Sequence, residues 1–203
     1  MKLILATHNE HKRREFARLA PAPSESSTDE GWELEALPEG VNLPPEDGET
    51  FAENALGKAR AAAAGTGRAS IADDSGIAAA ALAGAPGVRS ARYAGEHASD
   101  GENLAKLLRE APAGSGLEYV CVVAYVDPAG ATERVFEGRC AGAVASTPRG
   151  EGGFGYDPAF LPEDGPEGLT MAELSDEQKD AISHRGRAAR ALFAWLAGQA
   201  ATG

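Results

Sequence analysis

The stretch Ile71-Ala72-Asp73-Asp74-Ser75-Gly76 sets two adjacent carboxylates, a hydroxyl and a glycine behind a short apolar run, Ala69 to Ala72. The run reads as the end of a buried strand that stops at the acids. Burying two unpaired carboxylates costs several kcal/mol or forces a large pKa shift. Asp73 and Asp74 are therefore expected to point at water, a cation or a partner. A solvated turn, with an Asp serving as a helix cap, is the plain alternative.

Other residues in the chain carry compatible chemistry. Lys12, Lys179 and Arg185, with Asn9, are donors suited to phosphate oxygens or to the edge of a base. Asp73 and Asp74, with Glu46 or Glu53, are hard oxygen donors suited to Mg²⁺. Phe154, Tyr156 and His184 are flat groups suited to stacking on a heterocycle. The loop from Gly150 to Pro158 interleaves glycines with Phe154, Tyr156 and Asp157, so backbone can come close to a ligand beside an aromatic face. Taken singly, Lys12 to Arg14 reads as a solvated helix face, and His184-Arg185 as a surface pair. Taken together, the three sets describe a nucleoside polyphosphate site. No Walker P-loop is present, and no GxGxxG run joins a strand directly to a helix as the dinucleotide fingerprint requires, so neither common nucleotide fold accounts for it.

The elements that must position these residues follow from local pattern. Leu3 to Ala6 reads as a first strand, and Thr7 with Glu10 as a capping box opening a helix from Glu10 to about Leu19. Backbone N–H groups at that junction favour anions. Pro21 to Gly31 is Pro/Ser-rich and acidic, a flexible loop with no packing role. Trp32, Leu34 and Ala36 alternate with acids as an exposed strand. Thr50 with Glu53 opens a second helix, Phe51 to Ala64, ended by Gly65-Thr66-Gly67. Ile77 to Leu82 fits either helix or strand. Ser99 with Glu102 opens a third helix. Leu117 to Val126 and Ala131 to Ala145 flank Asp127-Pro128-Ala129-Gly130 as a hairpin. Ser175 with Gln178 opens a further helix, and Ser183 caps the last one, which carries Ala188, Leu192, Phe193, Trp195 and Leu196 toward the core.

A chain of 203 residues, 43% hydrophobic, can bury a full core as one domain of two lobes. Its net charge of −12 repels a nucleic-acid backbone, so a nucleic-acid partner is not expected. Cys121 and Cys140 sit in apolar runs as small buried side chains. The first residues are too short an apolar run for a signal peptide, and no run reaches the length of a membrane span. A cytoplasmic protein is expected.

Six stretches together resemble one known family. They are Ala6-Thr7-His8-Asn9-Glu10-His11-Lys12, Thr50-Phe51-Ala52-Glu53-Asn54-Ala55, Ala72 to Gly76, Gly87 to Gly95, Gly152 to Pro158, and Ile182 to Gly186. In this order, across nearly the whole chain, they are similar to the inosine triphosphate pyrophosphatases of the Ham1/RdgB type. The resemblance implies an α/β fold, two lobes around a long mixed sheet with flanking helices, an active site in the cleft between lobes, and a homodimer. It implies Mg²⁺-dependent hydrolysis of dITP, ITP and XTP to the monophosphate and pyrophosphate. By position, Thr7, His8, Asn9, Glu10, His11 and Lys12 would hold phosphates, and Asp74 would be the catalytic acid–base or metal-ligand residue. Ser75 would touch the substrate, while Phe154, Gly155, Tyr156, Asp157, Lys179, His184 and Arg185 would bind the base and neighbouring phosphates. Glu46 stands near the family's second metal ligand. Three departures are Pro21 to Gly31, Ala80 in place of an acid, and Arg89 in place of Tyr.

Two other readings compete. A Maf-like pyrophosphatase of different base specificity would need another pocket, and the Phe-Gly-Tyr-Asp and Ser-His-Arg stretches argue against it. A nucleotide sensor that has lost hydrolysis would be expected to show a damaged acidic stretch, yet Asp73 and Asp74 are intact.

Overall fold

The computed structural model describes residues 2–21, 32–129 and 131–200, so the loop expected at 21–31 lies outside the described residues except for Pro21. The elements are β1 (Lys2–Leu5), α1 (Glu10–Leu19), β2 (Glu33–Ala36), α2 (Phe51–Thr66), β3 (Ser70–Ala79) and α3 (Asp100–Glu110). They continue with β4 (Gly116–Asp127), β5 (Thr132–Val144), β6 (Phe160–Pro162), α4 (Asp176–Ile182) and α5 (His184–Ala200). All six strands join one sheet in the order β2-β1-β3-β4-β5-β6. β1 pairs parallel with β2 and β3, and β5 pairs antiparallel with β6, so the sheet is mixed and the fold is α/β. Residues 128–131 join the neighbouring strands β4 and β5; a parallel crossover would need about a dozen residues, so the pair is a hairpin.

Local signals set the helix starts. Capping boxes form at Thr50 with Glu53, Ser99 with Glu102 and Ser175 with Gln178. α2 runs on to Thr66, where Gly67 takes the left-handed conformation that closes it. The first junction differs from expectation. Asn9, not Thr7, is the N-cap of α1, its side chain accepting from the Lys12 N–H, while Thr7 Oγ1 accepts from the Asn9 N–H. With Thr7 turned to Asn9, the box expected between Thr7 and Glu10 does not form.

A larger correction concerns β3. The strand does not stop at Asp73 and Asp74 but continues to Ala79, and both acids lie buried in its middle. Ile77 to Ala79 is strand, and Ala80–Leu82 a 3₁₀ turn. Distant cations make this possible, as described below.

The chain divides into two compact units. The first comprises the described residues of 1–74, 122–137 and 188–203; the second comprises 75–121 and 138–187. In the first, Ala55, Ala59, Ala62 and Ala63 of α2 make a stripe of small side chains on one helix face. Small residues at this spacing let a helix lie close to Ile4, Ala6, Ala72, Val122, Ala124 and Val126 of the sheet. α5 adds Trp195, whose ring meets Tyr125 edge-on and Phe136 at a tilt. In the second unit the core is larger-grained. Ile77, Leu107, Leu117, Tyr119, Val144, Tyr156, Phe160 and Met171 fill it, together with Cys140. Cys121 and Cys140 are both buried, and burial pushes the Cys140 thiol up to about 11. Among the described residues no helix is long and apolar enough to cross a membrane.

Candidate functional site

In the first unit, the chain leaves β1 through Ala6, whose N–H donates to the Ile71 carbonyl at 2.7 Å, and enters α1 through Asn9. This brings Lys12, one turn into the helix, against β3: its Nζ lies 3.0 Å from Asp73 Oδ2. The side chain is only 13% exposed, so Lys12 is not the solvated residue that its neighbourhood in sequence implied. His8, Glu10 and His11 are exposed, and Glu10 pairs with Arg13 at 2.6 Å.

α2 supplies two residues that sequence reasoning did not assign to the site. Asn54 and Lys58, one turn apart on a single face, are both buried. Asn54 donates through Nδ2 to Asp74 Oδ2 at 2.9 Å, and its Oδ1 accepts from the Gly48 N–H at 2.8 Å. A Cβ on Gly48 would stand 2.7 Å from that Oδ1, so only glycine fits there. Lys58 Nζ donates to the Asp73 carbonyl at 2.6 Å and forms a short ion pair with Glu46. The one available signal was Asn54's place in the Thr50-to-Ala55 stretch, directly after the loop that carries Glu46.

Three carboxylates (Asp73, Asp74, Glu46) and two ammonium groups (Lys12, Lys58) thus share one region. Burial pushes the Asp74 carboxyl above its ordinary value; Glu46 adds to that, while Lys58, Lys12 and the Asn54 hydrogen bond oppose it. Burial alone would lower the Lys58 ammonium, but attraction to Asp73, Glu46 and Asp74 outweighs it and the net shift is upward. No three His, Cys, Asp or Glu side chains gather into a closed metal cage among the described residues. Asp74 and Glu46 are nonetheless two neighbouring acids, and Glu46 raises the cost of ionising Asp74. Such a pair fits a hard divalent cation that takes one or two carboxylates and completes its shell with water and phosphate oxygens.

In the second unit the organising residue is Asp157. Its carboxylate accepts from the Tyr119 hydroxyl at 3.0 Å, the Lys179 ammonium at 2.7 Å and the Phe154 N–H at 2.9 Å. Gly153 makes the approach possible: it has φ +69°, and a Cβ there would stand 2.1 Å from Asp157 Oδ2. Lys179 Nζ lies 5.2 Å, and Arg185 Cζ 5.7 Å, from the centroid of the half-buried Phe154 ring. Arg185 also donates to Ser75 Oγ at 2.8 Å. The Gly155 N–H donates to Asp100 Oδ2 at 2.9 Å.

Two expectations change in this unit. Tyr156 is not a stacking face. It is 5% exposed within the core, its hydroxyl donates to the Ser90 carbonyl at 2.7 Å, and burial raises its phenol. His184 and Arg185 are not a surface pair; both are buried, held at the start of α5 where Ser183 Oγ accepts from the Gly186 N–H. The His184 ring is stacked on Tyr119, centroids 4.4 Å apart and planes 4° from parallel. Tyr119 was missed because a tyrosine inside the apolar run of β4 looks like any other core aromatic.

One unit thus carries cations and hard oxygens suited to phosphate, and the other a cation-flanked ring suited to a heterocycle. Comparison with known proteins agrees with that chemistry. The model of the Ham1 family matches residues 3–195. A dITP/XTP pyrophosphatase of Frankia alni is 47% identical over 205 residues, covering 97% of each chain. One from Geobacillus kaustophilus is 47% identical, covering 92% of this chain and 90% of its own. Among solved structures, a HAM1 protein of Coxiella burnetii superposes with a TM-score of 0.82 at 36% identity, over 98% of this chain and 99% of the other. The Staphylococcus aureus Ham1 protein gives 0.81 at 37% identity, over 98% and 100%. The chain belongs to the Ham1 family.

Proposed function

We propose that this protein is a Mg²⁺-dependent nucleoside-triphosphate pyrophosphohydrolase that converts dITP, ITP and XTP to the monophosphate and pyrophosphate. The observation that carries the reading is the buried Asp73–Asp74 pair in mid-strand, held by Lys12, Lys58 and Asn54. A fold does not keep two adjacent acids in its interior for stability, since an apolar pair would pack there at lower cost.

The geometry supports the following roles. Asp74 takes the proton from the water that attacks the α-phosphorus, or holds the cation beside it. Both roles need the ionised form, which Asn54 and Lys58 favour against burial. Mg²⁺, held by Asp74 and Glu46, would neutralise phosphate charge and polarise the bond to the departing pyrophosphate. Lys12 and the Thr7–Asn9 turn supply donors to phosphate oxygens. Lys179, His184 and Arg185 supply donors for the base, over which Phe154 stacks. Hypoxanthine and xanthine offer a 6-oxo acceptor to such donors; adenine offers an amino group, which leaves a buried donor unmatched. Sites of this kind reject the wrong partner by roughly 10⁴–10⁵-fold. Guanine shares the 6-oxo group and is the better of the two poor substrates. The family resemblance also supports a homodimer, measurable by light scattering.

The test is a panel of dITP, ITP, XTP, GTP and ATP, assayed for pyrophosphate and orthophosphate separately, with Mg²⁺ and with chelator. Pyrophosphate from the first three, only with Mg²⁺, is the expected result. Orthophosphate as first product, or equal turnover of ATP and ITP, overturns it.

A further inference from the structure

The geometry points to Tyr119 as a positioning residue for base selection, fixing His184 with its ring and Asp157 with its hydroxyl. The inference rests on the reading of Phe154, Asp157, Lys179, His184 and Arg185 as the base set. Tyr119 sits in β4 with its hydroxyl on Asp157 and its ring packed against His184 and Phe160, so it acts through these neighbours. Its placement is fully constrained. One ring face lies parallel to His184 at 4.4 Å, and Phe160 packs at a tilt 4.7 Å away. Its hydroxyl reaches Asp157 Oδ1, while Lys179 takes Asp157 Oδ2. A phenylalanine would fill the same space in the core, so packing alone does not call for the oxygen. What the oxygen does is hold one carboxylate oxygen and so leave the other to Lys179 and the Phe154 N–H. It thereby sets where the Lys179 ammonium and the Phe154 ring stand.

A hydroxyl donating to a charged carboxylate is worth about tenfold in an equilibrium. With Tyr119→Phe, Asp157 is free to turn, and Lys179 loses its fixed position. The ratio of kcat/KM for dITP over dATP should fall by about tenfold, through KM, with kcat changed less than twofold and the melting temperature lowered by a few degrees, since the buried Asp157 Oδ1 loses the hydroxyl. Lys179→Ala acts on the same carboxylate, so the double variant should lose much less than the product of the two single effects. Tyr119→Met removes ring and hydroxyl while keeping bulk, and should cost more selectivity than Tyr119→Phe because His184 loses its stacking face. Near-ultraviolet circular dichroism verifies that each variant is folded. An unchanged dITP/dATP ratio in Tyr119→Phe, or independent effects in the double variant, overturns the inference while leaving the activity intact. Should wild type itself show no preference between dITP and dATP, the base-set reading fails and the inference fails with it.

Discussion

Both units bury a carboxylate against a lysine, yet the two clusters differ in balance. Around Asp73 and Asp74, three acids face two ammonium groups, and burial holds Asp74 above its ordinary pKa. Around Asp157, one acid meets three donors from three separate places in the chain. Among the described residues the first arrangement sets more carboxylates than ammonium groups together, which is the balance a bound cation would suit. The second already has its hydrogen bonds made. A cluster of the first kind suits a change of charge during reaction; one of the second kind suits holding side chains still. The same pair of residue types, Asp and Lys, thus serves two purposes according to what else is buried with it.

Removing charge from the unbalanced cluster should have the largest effect. Asp74→Asn keeps shape but deletes the charge that the proposed role as proton acceptor or cation ligand requires, and turnover should fall by roughly 10²–10⁴-fold. Circular dichroism should stay unchanged. Near-wild-type activity in folded protein would end the contrast between the clusters.

Removing a cation from the same cluster should instead be read in stability. Lys58→Met takes an ammonium group away from Asp73 and Glu46, and breaking a buried pair costs on the order of 3 kcal/mol. Glu46 is a third exposed, which places the effect at the low end of such measurements. Urea unfolding of the two proteins gives the difference directly; a loss below half a kilocalorie would show Lys58 to be dispensable.

The balanced cluster should respond in specificity. Phe154→Ala removes stacking worth roughly 1–3 kcal/mol per base, and should weaken ITP, GTP and ATP alike. Arg185→Ala and Lys179→Ala should narrow the gap between ITP and ATP for whichever side chain is the donor. Uniform losses from all three substitutions would erase the distinction between stacking and donor roles.

The smallest expected effect lies away from both clusters, at the sheet edge. Arg68 chiefly, with Lys2, holds the Glu35 carboxyl down at about 2 from its ordinary 4.5. The folded state therefore binds fewer protons than the unfolded state between those values. This contribution is whole above about pH 4.5 and lost as pH falls toward 2. Because Glu35 faces solvent there, Glu35→Gln should lower the melting temperature only slightly at neutral pH, with the gap closing near pH 2. A gap constant from pH 6 to pH 2 would show that the pair contributes nothing.

What the sequence determined by itself is local. Three capping boxes and the cap at Ser183 are decided by residues within a few positions of each other, because the hydrogen bonds involved span three residues. Residue types suited to a phosphate, a cation or a base can likewise be picked out along the chain, since donor, acid and aromatic chemistry does not depend on folding. Tertiary structure decided which of them are buried together. Asp73 and Asp74 sit within a strand where Lys12, Asn54 and Lys58 reach them from two helices, Lys58 lying 15 positions from Asp73. Tyr119 differs from an ordinary core aromatic only through Asp157, 38 positions on, and Tyr156 is taken into the core by Ser90, 66 positions back. Burial of a charge is a question of what surrounds it, and no short window of sequence contains those surroundings.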